Sequence, residues 1–524
     1  MLPTIAALMI LAAPPAAMAG VTAFKQAVAE GAAREDGLAA HYRASGFEAI
    51  WTLQDETGRA RRQALLQAID EASAHGLPAS RYDAPGLLAM MRAARTPRDL
   101  GAVEVEMSRV FLRLAHDMHT GILTPSRVVS DIVRDVPLRS DEELLTGFAA
   151  SAPAGFFRNL APKSGEYARL LREKTRLEGM LATGGWGPAV PATSLAPGQS
   201  GPEVVVLRNR LMRMGYLDRT ATGTYDIPIM QAVQKFQAAH GLVADGTAGA
   251  STMAEINKPI SERLPMLHVA MERERWLNKP RGQRHILVNL ADFTARIMDD
   301  DSLTFETRAV IGKDTSGQRS PEFSDEMEYL EINPVWNVPR SITVKEYLPQ
   351  MQRNRGAAGH LKLYNSRGQE VSRANVNFNA YSARTFPFAL KQPPSNRNAL
   401  GLVKFMFPNK YNIYLHDTPS KDLFNRNVRA FSHGCIRLQR PFDFAYEILS
   451  RQEADPKTYF DRILNSGRQT QVPLKQKIPV HIIYRTATVP AKGPVQYRDD
   501  IYGRDGKIWD ALQKAGVSLP AVQG

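Results

Sequence analysis

The stretch "SHGCIRL", Ser432 to Leu438, holds the one cysteine in 524 residues. A thiol becomes a useful nucleophile when a base lies within hydrogen-bond reach and a third group orients that base. Acyl transfer also needs donors aimed at the developing oxyanion, most cheaply backbone N–H groups in a turn with little side-chain bulk. This motif supplies such a turn. Gly434 lets the backbone approach a bound carbonyl, and the amides of Gly434 and Cys435 can point at one oxygen. Two histidines compete for the role of base. His433 lies two residues before the thiol, but a turn breaks the strand rule that would put both side chains on one face. His416 ends "YNIYLH", a strand able to lie beside the cysteine turn. It is the favoured base, with its other ring nitrogen held by a backbone carbonyl or by Asp417. His433 is then structural, or hydrogen-bonds the substrate. Each histidine alone reads as an ordinary core or surface residue; their convergence with Cys435, Ser432 and Gly434 points to chemistry.

Other chemistries lack their residues. There is no HExxH, no CxxC and no second cysteine, so a metal site would need scattered ligands such as His416, His433 and Cys435. Neither Ser-x-x-Lys nor Gly-x-Ser-x-Gly occurs, which removes the usual serine peptidase signatures. A single cysteine forms no internal disulfide; it is a small buried hydrophobe or a thiol kept for reaction.

The chain carries 66 Lys+Arg against 53 Asp+Glu, a formal charge of +13. That balance suits nucleic acid, a membrane surface or an acidic polymer such as a cell wall, or is ordinary solubility charge. The first residues choose among these. "MLPTIAALMILAAPPAAMAG" has an apolar run from Ile5 to Ala13, a proline break, then Ala17-Met18-Ala19, whose small residues fit a signal-peptidase site before Gly20. No Lys or Arg precedes the run. An uncleaved N-terminal anchor is the rival reading, but the run is short and alanine-rich for a membrane span. Export to the periplasm is the expectation, which argues against nucleic acid, and no stable membrane span is expected.

The elements that must position the thiol come last in the chain. Before them the pattern is helical to about Leu181: Val103, Met107, Val110, Leu114 and Met118 form one stripe that Gly121 stops. Residues 184–202, "GGWGPAVPATSLAPGQSGP", read as a linker. Three short helices with glycine stops follow, to about Pro259. Beyond Arg281, "HILVNL", "RAVIG", "EYLEIN" and "KIPVHIIY" have strand grammar. Residues 345 to about 398 interrupt it and read as a lid-like insertion.

Histidine, a mid-length loop, then S-H-G-C-I-R resembles the signature of the L,D-transpeptidases with a YkuD-type catalytic domain. "EINPVWNVPRSI" and "NALGLVKFMFPNKYNIYLHDTP" are similar to stretches of the large periplasmic, YcbB-like subfamily. "AVQKFQAAHGLVADGTAG" resembles its peptidoglycan-binding module, "HYRASGFEAIWTL" its scaffold domain, and "VQYRDDIYGRD" its tail. Pro394 stands where many relatives have glycine. The resemblance implies an α+β multidomain chain: signal peptide 1–19, helical scaffold 20–183, three-helix wall-binding module 195–258, mostly-β catalytic domain 282–485, and a tail 486–524 packed on the body.

It also implies Cys435 as nucleophile and His416 as base, with Asp417 orienting it through side chain or backbone. Amides around His433, Gly434 and Cys435 would form the oxyanion hole, with Ser432 shaping the turn. Arg437 would organise the site or meet a substrate carboxylate, and Tyr414 would bind substrate. By resemblance, the thiolate attacks the third residue of a tetrapeptide stem, D-alanine leaves, and a neighbouring diamino-acid amine resolves the thioester into a 3→3 cross-link. No cofactor is implied, and carbapenem-type β-lactams should acylate the same thiol. A glycan polymerase and a D,D-carboxypeptidase are the implied companions. The alternatives are an L,D-carboxypeptidase, with water as acceptor, and a non-catalytic wall-binding scaffold.

Overall fold

The computed structural model describes residues 15–520, with side chains from Thr22. The leader read at 1–19 lies outside the described residues up to position 14; positions 15–19 fall in a helix, Pro15–Ala32. Among the described residues no helix is long and apolar enough to cross a membrane.

The N-terminal part is helical because its apolar stripes repeat every three to four residues and carry explicit stops. Helix Pro97–Thr120 begins with a capping box, Thr96 with Asp99, and ends at Gly121. Its buried Glu104 accepts hydrogen bonds from the Ile50 and Thr52 amides (2.6 and 2.9 Å) and from the Tyr42 hydroxyl (2.8 Å). That carboxylate fixes the "AIWTL" segment, whose Trp51 is wholly buried against Phe111 and Phe148.

Helices Pro202–Met214, Ile227–Ala239 and Ala250–Asn257 form the small module around Leu207, Leu211, Val233, Phe236 and Ile256. The segment read as a linker is folded onto neighbouring cores. Trp186, Val190 and Leu195 are buried, and Leu195 exchanges backbone hydrogen bonds with Ala248 at 2.9 Å. Its glycines and prolines shape turns rather than confer freedom.

One element had no sequence signal. Helix Ile260–Trp276 buries Leu264, Leu267, Met271 and Trp276, and also Arg263, Glu272, Arg273, Glu274 and Arg275. From Leu267 on it is covered on every side, so no polar stripe marks it. Its charges are answered across the chain: Arg273 meets Glu322 (2.6 Å) and Asp505 (2.7 Å).

The strands are β1 Arg284–Asn289, β2 Thr294–Asp299, β3 Ser302–Gly312, β4 Phe323–Ile332, β5 Trp336–Asn337, β6 Lys362–Tyr364, β7 Glu370–Val371, β8 Ala389–Gln392, β9 Val403–Met406, β10 Leu415–His416, β11 Ala430–Ser432, β12 Ile436–Leu438, β13 Thr470–Ile483, β14 Ala487–Thr488 and β15 Gln496–Tyr497. The main sheet runs β11-β3-β12-β10-β9-β4-β13-β1-β2, and β2 pairs back onto β3. Long β3 thus closes the sheet, its first half on β2 and its last residues on β12 and β11. The interior holds Ile286, Val288, Met327, Leu330, Phe405, Leu415, Ile436 and Ile482, with helix Pro441–Leu449 adding Phe444 and Ile448. In register across one row stand Glu331 (β4), Lys404 (β9), His416 (β10) and Arg437 (β12).

The insertion is a body of its own. Its sheet runs β5-β8-β6-β7, so its first strand lies at Trp336, ahead of the expected start near 345. Trp336, Leu348, Met351, Leu363, Phe378, Phe386 and Leu390 form its core. The tail adds the β14–β15 pair and helix Arg504–Lys514, which packs against Ile260–Trp276.

Candidate active site

Cys435 is half-buried in the turn between β11 and β12. Gly434 there has φ +117°, and a Cβ would meet Ile413 Cδ1 at 3.2 Å, so the turn requires glycine. Ser432 Oγ holds the turn from within: it accepts from the Gly434 amide (3.1 Å) and donates to the Cys435 carbonyl (2.5 Å). This corrects one expectation. The Gly434 amide is taken by Ser432, whereas the His433 and Cys435 amides make no hydrogen bond among the described residues. The thiol faces the Asn412 carbonyl at 3.5 Å. Asn409 braces that loop, donating to the Phe407 and Ile413 carbonyls at 2.6 and 2.7 Å.

His416 is 4 % exposed, and its Nδ1 lies 2.5 Å from the Asp417 carbonyl oxygen, which fixes Nδ1 as the protonated nitrogen. Backbone, not carboxylate, therefore orients the ring. The Asp417 carboxylate turns away to accept from the Leu402 amide (2.9 Å) and to pair with Lys421 (2.5 Å). Gly401, at φ +61°, makes room for it, since a Cβ there would sit 2.3 Å from Asp417 Cγ. No hydrogen bond joins the His416 ring to the Cys435 sulfur among the described residues. The parallel β10–β12 register nonetheless sets His416 on the strand beside β12, which Cys435 immediately precedes, with the Ile436 amide donating to the Tyr414 carbonyl at 3.1 Å.

Tyr414 stacks edge-on to His416 (5.6 Å between centroids), and Lys404 Nζ stands 4.2 Å over its ring. It packs against both the barrel core and the core of the insertion. The Arg437 side chain makes no hydrogen bond or ion pair among the described residues, and its buried Nε lacks a partner. An unpaired, half-buried guanidinium beside the thiol is a site for a planar anion such as a carboxylate.

Burial holds the His416 imidazole down at about 3, with Arg437 and Lys404 pushing the same way against the Asp417 and Leu400 carbonyls. Burial also pushes the Cys435 thiol up, and Tyr414, Lys404 and Arg437 pull it back only in part. The free site is thus a thiol beside a neutral imidazole, not an ion pair. We expect the rate of iodoacetamide alkylation to rise in a single step above the ordinary thiol range, about 8.5. A plateau of reactivity between pH 5 and 8 would contradict this.

His433 is exposed and points to the insertion: its Nε2 lies 2.6 Å from Glu346 Oε1, on the helical turn Thr343–Tyr347. It bridges the insertion and the turn. Glu346→Gln removes a partly exposed pair worth up to about 1 kcal/mol. Amide exchange over 340–353 is then expected to rise by about two- to fivefold; unchanged exchange would show that the contact does not hold the lid. No group of three or more His, Cys, Asp or Glu is arranged to hold a metal among the described residues.

A half-buried thiol, an unclaimed amide and a carbonyl-held neutral imidazole are groups that cysteine acyl transfer can use. Residues 283–482 match the YkuD family, "L,D-transpeptidase catalytic domain". Residues 36–173 match "Scaffold domain", and residues 200–256 "Putative peptidoglycan binding domain". A "Putative L,D-transpeptidase" of Haemophilus influenzae is 30% identical over 254 residues, covering 47% of this chain and 51% of its own. The chain thus spans about half the length of that curated relative. Solved L,D-transpeptidase structures from Xylanimonas cellulosilytica and Stackebrandtia nassauensis are each 16% identical and cover 56% of this chain, and 98% and 97% of their own, with TM-scores of 0.17 and 0.22, too low to bear on the fold. The barrel segment thus matches the YkuD L,D-transpeptidase catalytic domain, and the segments before it match a scaffold domain and a putative peptidoglycan binding domain.

Proposed function

We propose that the protein is an L,D-transpeptidase acting on peptidoglycan outside the cytoplasmic membrane. The observation that carries this is the Cys435 thiol, with its own free amide alongside and neutral His416 on the adjacent strand. Cys435 attacks the carbonyl of the third residue of a tetrapeptide stem, and the Cys435 and His433 amides receive the oxyanion. His416 Nε2 takes the thiol proton and passes it to the departing D-alanine amine. The side-chain amine of a neighbouring stem then attacks the thioester, giving a 3→3 cross-link and the free thiol. Arg437, unpaired in the free site, receives a substrate carboxylate, and Tyr414 lines the donor path beneath the insertion. The 200–256 module and the net positive charge suit a carboxylate-rich wall. Tetrapeptide donors imply a D,D-carboxypeptidase working upstream, and a glycan polymerase nearby. The leader at 1–19 would direct export.

The test is incubation with disaccharide-tetrapeptide and analysis of products. A 3→3 dimer with released D-alanine supports the proposal. Tripeptide alone makes the enzyme an L,D-carboxypeptidase, and no product from folded, wall-bound protein leaves only a scaffold.

A further inference from the structure

Each peptide plane of the cysteine turn is held through at least one of its polar groups. The Ser432 carbonyl accepts from the Lys313 amide (2.9 Å), the Gly434 amide donates to Ser432 Oγ (3.1 Å), and the Cys435 carbonyl accepts from that same hydroxyl (2.5 Å). The plane between Gly434 and Cys435 is held by a residue far away in sequence: Ser320 Oγ donates to the Gly434 carbonyl at 2.6 Å. A trans peptide is rigid and planar, so its C=O and the following N–H point in opposite directions. Fixing the Gly434 carbonyl therefore aims the Cys435 N–H, the unclaimed donor next to the sulfur.

Ser320 is itself immobilised. It is fully buried, its Oγ accepts from the Gly312 amide (3.0 Å), and its carbonyl accepts from Arg504 Nη2 (2.7 Å). Its amide faces the Tyr502 hydroxyl (3.4 Å), which donates to the Gly312 carbonyl (2.5 Å). The C-terminal segment thereby reaches the catalytic turn through one hydroxyl.

We propose that Ser320, anchored by Tyr502 and Arg504 of the tail, is a positioning residue that aims the Cys435 amide at the oxyanion. This rests on Cys435 being the nucleophile. The inference predicts a split between two reactions of the same thiol. Acylation by a carbapenem passes through an oxyanion and needs the aimed amide; alkylation by iodoacetamide does not.

Both rates are measured on the intact protein, by mass, for wild type, Ser320→Ala and Ser320→Thr. Ser320→Ala is expected to slow acylation by about 100-fold, the usual cost of one oxyanion donor, while alkylation stays within about twofold. Ser320→Thr, which keeps the hydroxyl, restores acylation. Unchanged acylation in Ser320→Ala, equal slowing of both reactions, or a Ser320→Thr variant as slow as Ser320→Ala overturns the proposal. A wild-type protein that is alkylated but never acylated removes the nucleophile reading itself, a separate and recognisable failure.

Discussion

Replacing Cys435 by alanine is expected to abolish acyl-adduct formation and to lower cross-linking by about 10⁴- to 10⁶-fold, the range seen when the nucleophile of a cooperating set is removed. The size follows from the site's construction. No other thiol exists in the chain, and no serine or lysine motif stands by to replace it. The substitution should leave the fold alone: the side chain is half-buried, its thiol makes only a long 3.5 Å contact to the Asn412 carbonyl and a contact to Tyr414, and the turn is held by Ser432 and Ser320. A Cys435→Ala protein that kept its melting temperature and its activity would remove the thiol from the mechanism. Cys435→Ser separates nucleophilicity from shape, since the hydroxyl is nearly isosteric but far less acidic; it too should be inactive.

The second large effect concerns stability. Glu322→Ala is expected to destabilise the protein by about 3–5 kcal/mol, the usual cost of stripping the partner from buried charge. Glu322 is 2 % exposed and holds Arg273 at 2.6 Å and Arg504 at 3.0 Å, while its backbone exchanges hydrogen bonds with Asp131 and Val133 (2.9 Å each). Those contacts tie the central helix, the tail, the N-terminal part and the barrel at one point. Removing the carboxylate leaves Arg273 with Asp505 alone and Arg504 with only the more distant Asp131, at 3.8 Å, as its anion. Denaturant unfolding checks the size of the effect.

The pH dependence has a definite sign. Burial alone would raise the Glu322 pKa, but Arg273, Arg504 and Arg134 outweigh it and hold it below its ordinary value. The contribution of the ionised group is therefore present above the unfolded value, about 4.3, and is lost as pH falls through the folded one. The gap between wild type and Glu322→Gln should narrow in acid; a gap that widens there would contradict the assignment.

The site and the fold differ in how far the sequence reveals them. Cys435, His416 and the glycine turn stand out as candidates because they are marked by short spacings and by one unrepeated residue. The stripe from Val103 to Met118 is readable because one face meets water. Helix Ile260–Trp276 is not, because "ERERW" looks like a solvated end and its partners lie as far off as Asp505. Ser320 is equally silent, since a lone serine acquires its role only when the turn at Gly434 folds against it. The 184–202 stretch misled for the opposite reason: proline and glycine announce turns, and whether Trp186 and Leu195 then find a core is a tertiary fact. Ser432's claim on the Gly434 amide was likewise invisible, because it depends on a side-chain rotamer.

The most direct test is the intact mass of the purified protein during turnover of a disaccharide-tetrapeptide donor, followed by peptide mapping. The account predicts an adduct equal to the donor minus D-alanine, located on Cys435, absent from Cys435→Ala and discharged on adding an acceptor amine. Cross-linked product formed with no adduct at any time, or an adduct on another residue, would contradict it.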